Sequence, residues 1–336
     1  MTKSRPKKLP VVKNKQHYGI GEWYGRLYRG MSESERKEVV QLKNNITPCP
    51  FLNQVPTLGP KSGNLNCSKP GGVCSLRNFH EPTGDDDLSF GPITATCPNR
   101  FLEHGVVIRH IGSLLLGSAS PLFAKELPFL RRPQSASATV AIEETLADSG
   151  TEGEEGALTD AGSEDVGRID LVLVNPDDAE LWCAVEVQAV YFSGGKMSAD
   201  YDIIKGHTGN GIPMPGKARR PDFRSSGPKR LMPQLMIKVP TLRRWGRKMV
   251  VVIDEPFFQA MDSMEEADHV SNCDIIWVVT KFDDELGATT APLSIARTVY
   301  TTLESAIKGL TAGRPTTKPE FESKLAKKTA RAFDKS

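Results

Sequence analysis

The 336-residue sequence has no run of 18 apolar residues, which excludes a helix able to span a membrane. Its first residues, MTKSRPKKLPVVKNK, are basic but lead into no apolar stretch, so they do not read as a secretory signal. The expected compartment is therefore the cytoplasm. An excess of one charge is also lacking: 43 Lys and Arg stand against 41 Asp and Glu, a formal net charge of +2. This excludes a uniformly basic, histone-like protein, and any affinity for a polyanion must reside in a local patch. There is no internal repeat and no Cys-x-x-Cys knuckle. What is present is an ordinary globular composition, 38% hydrophobic and 25% charged, which argues against disorder.

Four regions follow from the pattern. Residues 1–46 read as a basic arm followed by a helix that starts at the Ser cap and early acids of SESERKEVVQLKN. Residues 47–105 are rich in Pro, Gly and Asn, carry four cysteines, and read as a loop-rich segment with little apolar surface that needs a staple. Residues 106–315 read as a mixed α/β core. Within it, 106–130 predicts short helical pieces and 137–146 a strand. The acidic stretch 148–165 reads as a surface loop that would repel phosphates. The runs 167–174, 181–190, 249–254 and 274–280 predict strands, 196–207 and 231–245 helices, and 293–310 shows helical periodicity. Residues 316–336 predict a basic tail helix.

The most informative chemistry is Asp170-x15-Glu186-x-Gln188. If GRIDLVLV and LWCAVEVQAV form a hairpin about Asp178, Val174 faces Trp182, Val172 faces Ala184, and Asp170 faces Glu186. Alternation then puts Asp170, Glu186 and Gln188 on one face and Ile169, Leu171, Leu173, Val185 and Val187 on the other. Opposed Cβ atoms lie roughly 4.5–5.5 Å apart. Two carboxylates that close repel each other unless a cation intervenes, and hard oxygen ligands suit Mg²⁺. The alternative is a pair of exposed strand acids on a solvated face.

The cysteines are spaced Cys49-x17-Cys67-x6-Cys74-x22-Cys97, with Pro after Cys49 and Cys97 and Gly71-Gly72 before Cys74. In a reducing compartment such a cluster reads as a closed structural metal site, with Zn²⁺ the first expectation from ligand type, the alternative being four unrelated buried thiols. Cys183 and Cys273 read as core. From Lys217 to Lys248 there are eleven Lys or Arg and one acid, Asp222. A solvated charged face is the ordinary reading of such a run. Following a hairpin with paired acids, it reads instead as a DNA-recognition segment, because Arg can bind guanine bidentately while Lys contacts phosphate. Its candidates are Arg219, Arg220, Arg224, Lys229, Arg230, Arg243, Arg244 and Lys248.

Asp170 with Glu186-Val187-Gln188 resembles the PD-(D/E)xK nuclease motif, with Gln188 in place of the usual lysine. Together with the cysteine cluster, the phrases GRIDLVLVN, AVEVQAVYFSG, SGPKRLMPQL and RRWGRKMVVVID resemble a NotI-type restriction endonuclease over roughly residues 45–300. The resemblance implies a PD-(D/E)xK core, with Mg²⁺ held by Asp170 and Glu186 and water positioned by Gln188. It implies an earlier active-site acid, for which Glu144 or Glu143 is the candidate. It further implies one iron on Cys49, Cys67, Cys74 and Cys97, where ligand type alone leaves iron and zinc open. Cleavage of double-stranded DNA at a GC-rich palindrome would make the protein a homodimer, with a cognate methyltransferase expected as a separate gene product. Two further readings use the same residues: a repair or recombination nuclease without site preference, and a metal-stapled DNA-binding protein that does not cut.

Overall fold

The computed structural model describes residues 17–55, 65–80, 88–131, 165–209, 211–311 and 316–333. In chain order the strands are β1 (His17–Trp23), β2 (Arg26–Leu27), β3 (Val73–His80), β4 (Ser89–Ala95), β5 (Leu122–Arg131) and β6 (Asp165–Val174). They continue with β7 (Trp182–Val187), β8 (Phe192–Ser193), β9 (Arg220–Pro221), β10 (Met249–Asp254), β11 (Ile275–Phe282) and β12 (Leu293–Thr301). The helices are α1 (Glu33–Val39), α2 (Val106–Leu115), α3 (Ser198–Gly206), α4 (Phe223–Ser226), α5 (Met232–Arg244), α6 (Glu255–Ala260), α7 (Leu303–Thr311) and α8 (Lys318–Phe333).

A six-stranded mixed sheet, ordered β12-β11-β10-β7-β6-β5, forms the middle layer. The pairs β7/β10 and β10/β11 are parallel and the rest antiparallel. The central strand β10, MVVVID, is buried along its whole length, as a strand covered on both faces must be. One face packs Leu171, Leu173, Val185, Val250 and Val252 against the small sheet β2-β1-β3-β4 and α2. The other packs Val172, Ala184, Val251 and Trp277 against α5, α6 and α7.

Helix α5 sets the position of the second layer. Its buried residues, Leu235, Lys238, Val239 and Leu242, recur at the 3–4 residue spacing of one helical face. It stops where Gly246 takes a left-handed φ of 68° and Arg247 N–H reaches back to the Leu242 carbonyl. Helix α1 starts as its sequence demands: Ser32 Oγ accepts from Glu35 N–H while Glu35 caps the Ser32 N–H.

Three expectations change. Residues 47–105 are not simply loops: β3 and β4 lie here and share a buried core with β1. Residues 122–131 are strand β5, and 293–301 are strand β12, with helix only from Leu303. The expected arm 1–16, the strand 137–146 and nearly all of the acidic loop lie outside the described residues.

The two sheets are fastened by buried polar groups. Asp254, at the end of β10, accepts from Ala95 N–H (2.7 Å) and Phe257 N–H (3.0 Å). Arg100, fully buried, pairs with Glu22 on β1 (2.9 Å) and Glu103 (3.0 Å), donates to the Ala291 carbonyl, and lies between the rings of Phe51 and Phe282. Removing one partner of such a network strands charge out of water. Arg100→Met should therefore cost about 3–5 kcal/mol of unfolding free energy, measured by urea denaturation.

Candidate active site

The hairpin register is the one the alternation predicts: Leu171 pairs with Val185, Val172 with Ala184, Leu173 with Cys183 and Val174 with Trp182. Beyond Leu171–Val185 the two strands part. β6 stays with β5, and β7 stays with β10, where Gln188 N–H donates to the Val252 carbonyl (3.0 Å). Backbone groups released at the fork need new partners. Val187 N–H donates to Asp170 Oδ2 (2.8 Å), and the Asp170 backbone favours the charged form of Glu186. The Arg168 carbonyl accepts from Lys238 Nζ (2.6 Å), which also meets Glu186 Oε1 (2.5 Å) and Gln234 Oε1 (2.6 Å).

The fork opens into a cleft of about 320 Å³. Asp170, Glu186 and Gln188 form its hairpin side, and Lys125 and Glu126 of β5 stand beside them. Glu126 falls opposite Asp170, between the pairs Lys125–Leu171 and Leu127–Ile169, with a left-handed φ of 53°. Lys69 and Thr96 of the cysteine-bearing region and Arg230 and Gln234 complete the wall. Arg230 lies 3.6 Å over the Tyr191 ring. Gln188 holds its amide nitrogen on the Ala189 carbonyl (2.6 Å).

Burial pushes the Glu186 carboxyl up to about 7; the Asp170 charge adds to this and Lys238 opposes it. Burial also raises Asp170, against the Val187 N–H and Lys238. The site thus concentrates negative charge in poorly solvated ground, with one ammonium directly behind it.

The remaining expected residues are distributed unevenly. Cys49, Cys67, Cys74 and Cys97 are all buried; burial raises the last three thiols, with Cys49 adding to Cys67 and Cys97, and Cys67 and Cys97 adding to Cys74. The turn before Cys74 depends on glycine: Gly71 and Gly72 both have φ of 71°, and a Cβ on Gly72 would lie 2.1 Å from the Tyr24 ring. Yet among the described residues no group of three or more His, Cys, Asp or Glu side chains is arranged to hold a metal ion. Cys183 and Cys273 are core, as expected.

The basic segment splits. Arg219, expected to face DNA, is 2% exposed and ties Asp200 (2.7 Å) to the carbonyls of Gly195 and Lys196, because its planar fork can satisfy several buried acceptors at once. Arg220, Arg224, Lys229 and Arg230 are exposed. Arg220 and Arg224 line a second depression of about 630 Å³ beside Phe223. Arg243 pairs with Asp274, and Lys248 donates to the carbonyls of Ser271 and Cys273. These, with exposed Arg244, lie toward the hairpin-turn end of the sheet, where Arg247 meets the Glu180 carbonyl. Glu143 and Glu144 lie outside the described residues. Sequence reasoning missed Glu126 and Lys238. A lysine on the apolar face Leu231, Leu235, Val239, Leu242 was the available signal for Lys238.

Glu186 binds its proton more tightly folded than unfolded, where its ordinary value is 4.5. Stability from this group is therefore complete below pH 4.5 and lost as pH rises through about 7. In metal-free buffer, wild type should lose on the order of 3 kcal/mol relative to Glu186→Gln between pH 5 and 8.5, measured by urea unfolding.

Comparison with curated protein sequences returned no match. The family model described as restriction endonuclease NotI matches residues 33–293, a span that holds the forked hairpin, the cleft and all four clustered cysteines. The chain belongs to the NotI restriction endonuclease family.

Proposed function

We propose that the protein is a Mg²⁺-dependent type II restriction endonuclease that cleaves double-stranded DNA at a GC-rich palindrome as a homodimer. The observation that carries this reading is the convergence of Asp170 and Glu186 at the fork of β6 and β7, on a cleft that also contains Lys69, Lys125 and Arg230. Two carboxylates facing an open, polar cleft fit a hard cation that keeps several of its waters and needs only one or two acidic ligands. Bound Mg²⁺ would lower the pKa of a water and stabilise charge on the scissile phosphate.

The chain's own residues do the rest. Asp170 and Glu186 hold the cation, and Glu126 takes the place of the earlier acid sought at 143–144. Gln188, a neutral amide, orients water through hydrogen bonds and does not itself take its proton. Lys69, Lys125 and Arg230 offset phosphate charge. Exposed Arg220, Arg224, Lys229 and Arg230 are the DNA-contacting set, Arg230 in the cleft and Arg220 and Arg224 in the second depression, and the buried Arg219 is a structural tie. The core fits the PD-(D/E)xK type: a mixed sheet with acids on adjoining strands and a basic wall. The protein is expected to be soluble in the cytoplasm beside a separately encoded methyltransferase.

Plasmid incubated with Mg²⁺ should give discrete fragments; a smear would indicate a nuclease without site preference, and intact plasmid a binding protein. Asp170→Asn and Glu186→Gln should each reduce cutting at least 1,000-fold while duplex affinity in Ca²⁺ stays within about threefold, since both alter cation ligands.

The four clustered cysteines are proposed to hold one structural iron or zinc. Their soft thiol donors, common burial and mutual charge effects support this; holding a metal requires the four side chains to close together. Elemental analysis should find about one transition metal per chain, lost with Cys74→Ser and kept with Cys183→Ser. Metal-free soluble protein would remove this site.

A further inference from the structure

Lys238 belongs to a helix face otherwise made of Leu235, Val239 and Leu242, and is 3% exposed. An ammonium there costs several kcal/mol of desolvation that a methionine would avoid. Its three protons are matched to three acceptors: Glu186 Oε1, the Arg168 carbonyl and Gln234 Oε1. A neutral donor would have been enough for the carbonyl. The contact with Glu186 is different, because it puts a positive charge against the more deeply buried of two neighbouring carboxylates. Lys238 does not line the cleft, whereas Gln234 and Arg230, on preceding turns, do. It therefore bears on the cleft through Glu186 and Gln234, and of these only Glu186 carries a charge for the ammonium to meet.

We infer that Lys238 is the positioning residue for Glu186, supplying from the helix behind the sheet the positive charge that position 188 lacks. This rests on the reading that Asp170 and Glu186 form the cleavage site. Fixed by Lys238, the Glu186 carboxyl keeps its place before any cation or DNA arrives. Gln188 is thereby left free to be neutral.

The test moves the charge. Lys238→Met, Lys238→Arg, Gln188→Lys and the double variant Gln188→Lys/Lys238→Met are compared in single-turnover cleavage of a plasmid that wild type cuts. Binding of a duplex from that plasmid in Ca²⁺ and calorimetric Ca²⁺ affinity are measured alongside. Lys238→Met should cut at least 100-fold more slowly, bind the duplex within threefold of wild type, and bind Ca²⁺ at least fivefold more weakly. Lys238→Arg should stay within tenfold of the wild-type rate. The double variant should recover at least tenfold over Lys238→Met, a rescue that a merely structural lysine would not permit. Unchanged cleavage and Ca²⁺ affinity in Lys238→Met, or no gain in the double variant, overturns the inference. If Lys238→Met does not fold, a Lys238→Arg protein that folds but cuts no better than one-hundredth of wild type overturns it instead. Wild type that cuts no DNA removes the underlying reading; wild type that cuts beside an equally active Lys238→Met removes this inference alone.

Discussion

Backbone hydrogen bonding at the fork of β6 and β7 is the constraint on which the site depends. An antiparallel pair that splits inside a protein leaves donors and acceptors that water cannot reach, and each must be answered. Here the answers are side chains. Asp170 takes the Val187 N–H, and Lys238 fills the Arg168 carbonyl. The groups that give the cleft its chemistry are thus the groups that make the split affordable. Their geometry is fixed from two directions, by the sheet and by α5.

Segments flanking the strands of the second sheet, with Lys69 and Thr96, contribute another wall. The second sheet that carries them could drift were it held by apolar contact alone, since such contact has no direction. Asp254 and Arg100 give it direction. Asp254 fastens the end of β4 to β10, and the Ala95 carbonyl in turn accepts from Val190 N–H (2.8 Å) just beyond Gln188. Thr96, which lines the cleft, and Cys97 follow directly. The cysteine-bearing region and the carboxylate pair therefore meet through a few directed bonds.

What was legible in the sequence was local. Strict alternation in GRIDLVLV and LWCAVEVQAV set a register that the strands keep over four pairs, since a one-residue slip would turn Leu171, Leu173 and Val185 away from their core. MVVVID could only be a covered strand. Other features needed contacts that periodicity does not carry. LSIARTVYT satisfies helical spacing but is held as a strand by pairing with β11. LFAKELPFLR reads as broken helix until β6 is beside it, so the place of Glu126 opposite Asp170 could not be read from the sequence. Charge counts place Arg219 at the surface; Asp200 and nearby carbonyls draw it inside. Lys238 was one of eleven basic residues until α5 showed which way it faces.

The contact between Glu186 and Lys238 also has a meaning in time. It joins residues 52 apart, and β10, which holds the far edge of β7, comes later still. Chains are made from the N-terminus, and short-range structure forms before distant pairs can close. A nascent chain that has emerged only as far as Gln188 can form the hairpin, but it has neither the ammonium for Glu186 nor the neighbouring strand for Gln188. The carboxylate pair is made before α5 and β10 and becomes a fixed arrangement only after both have left the ribosome.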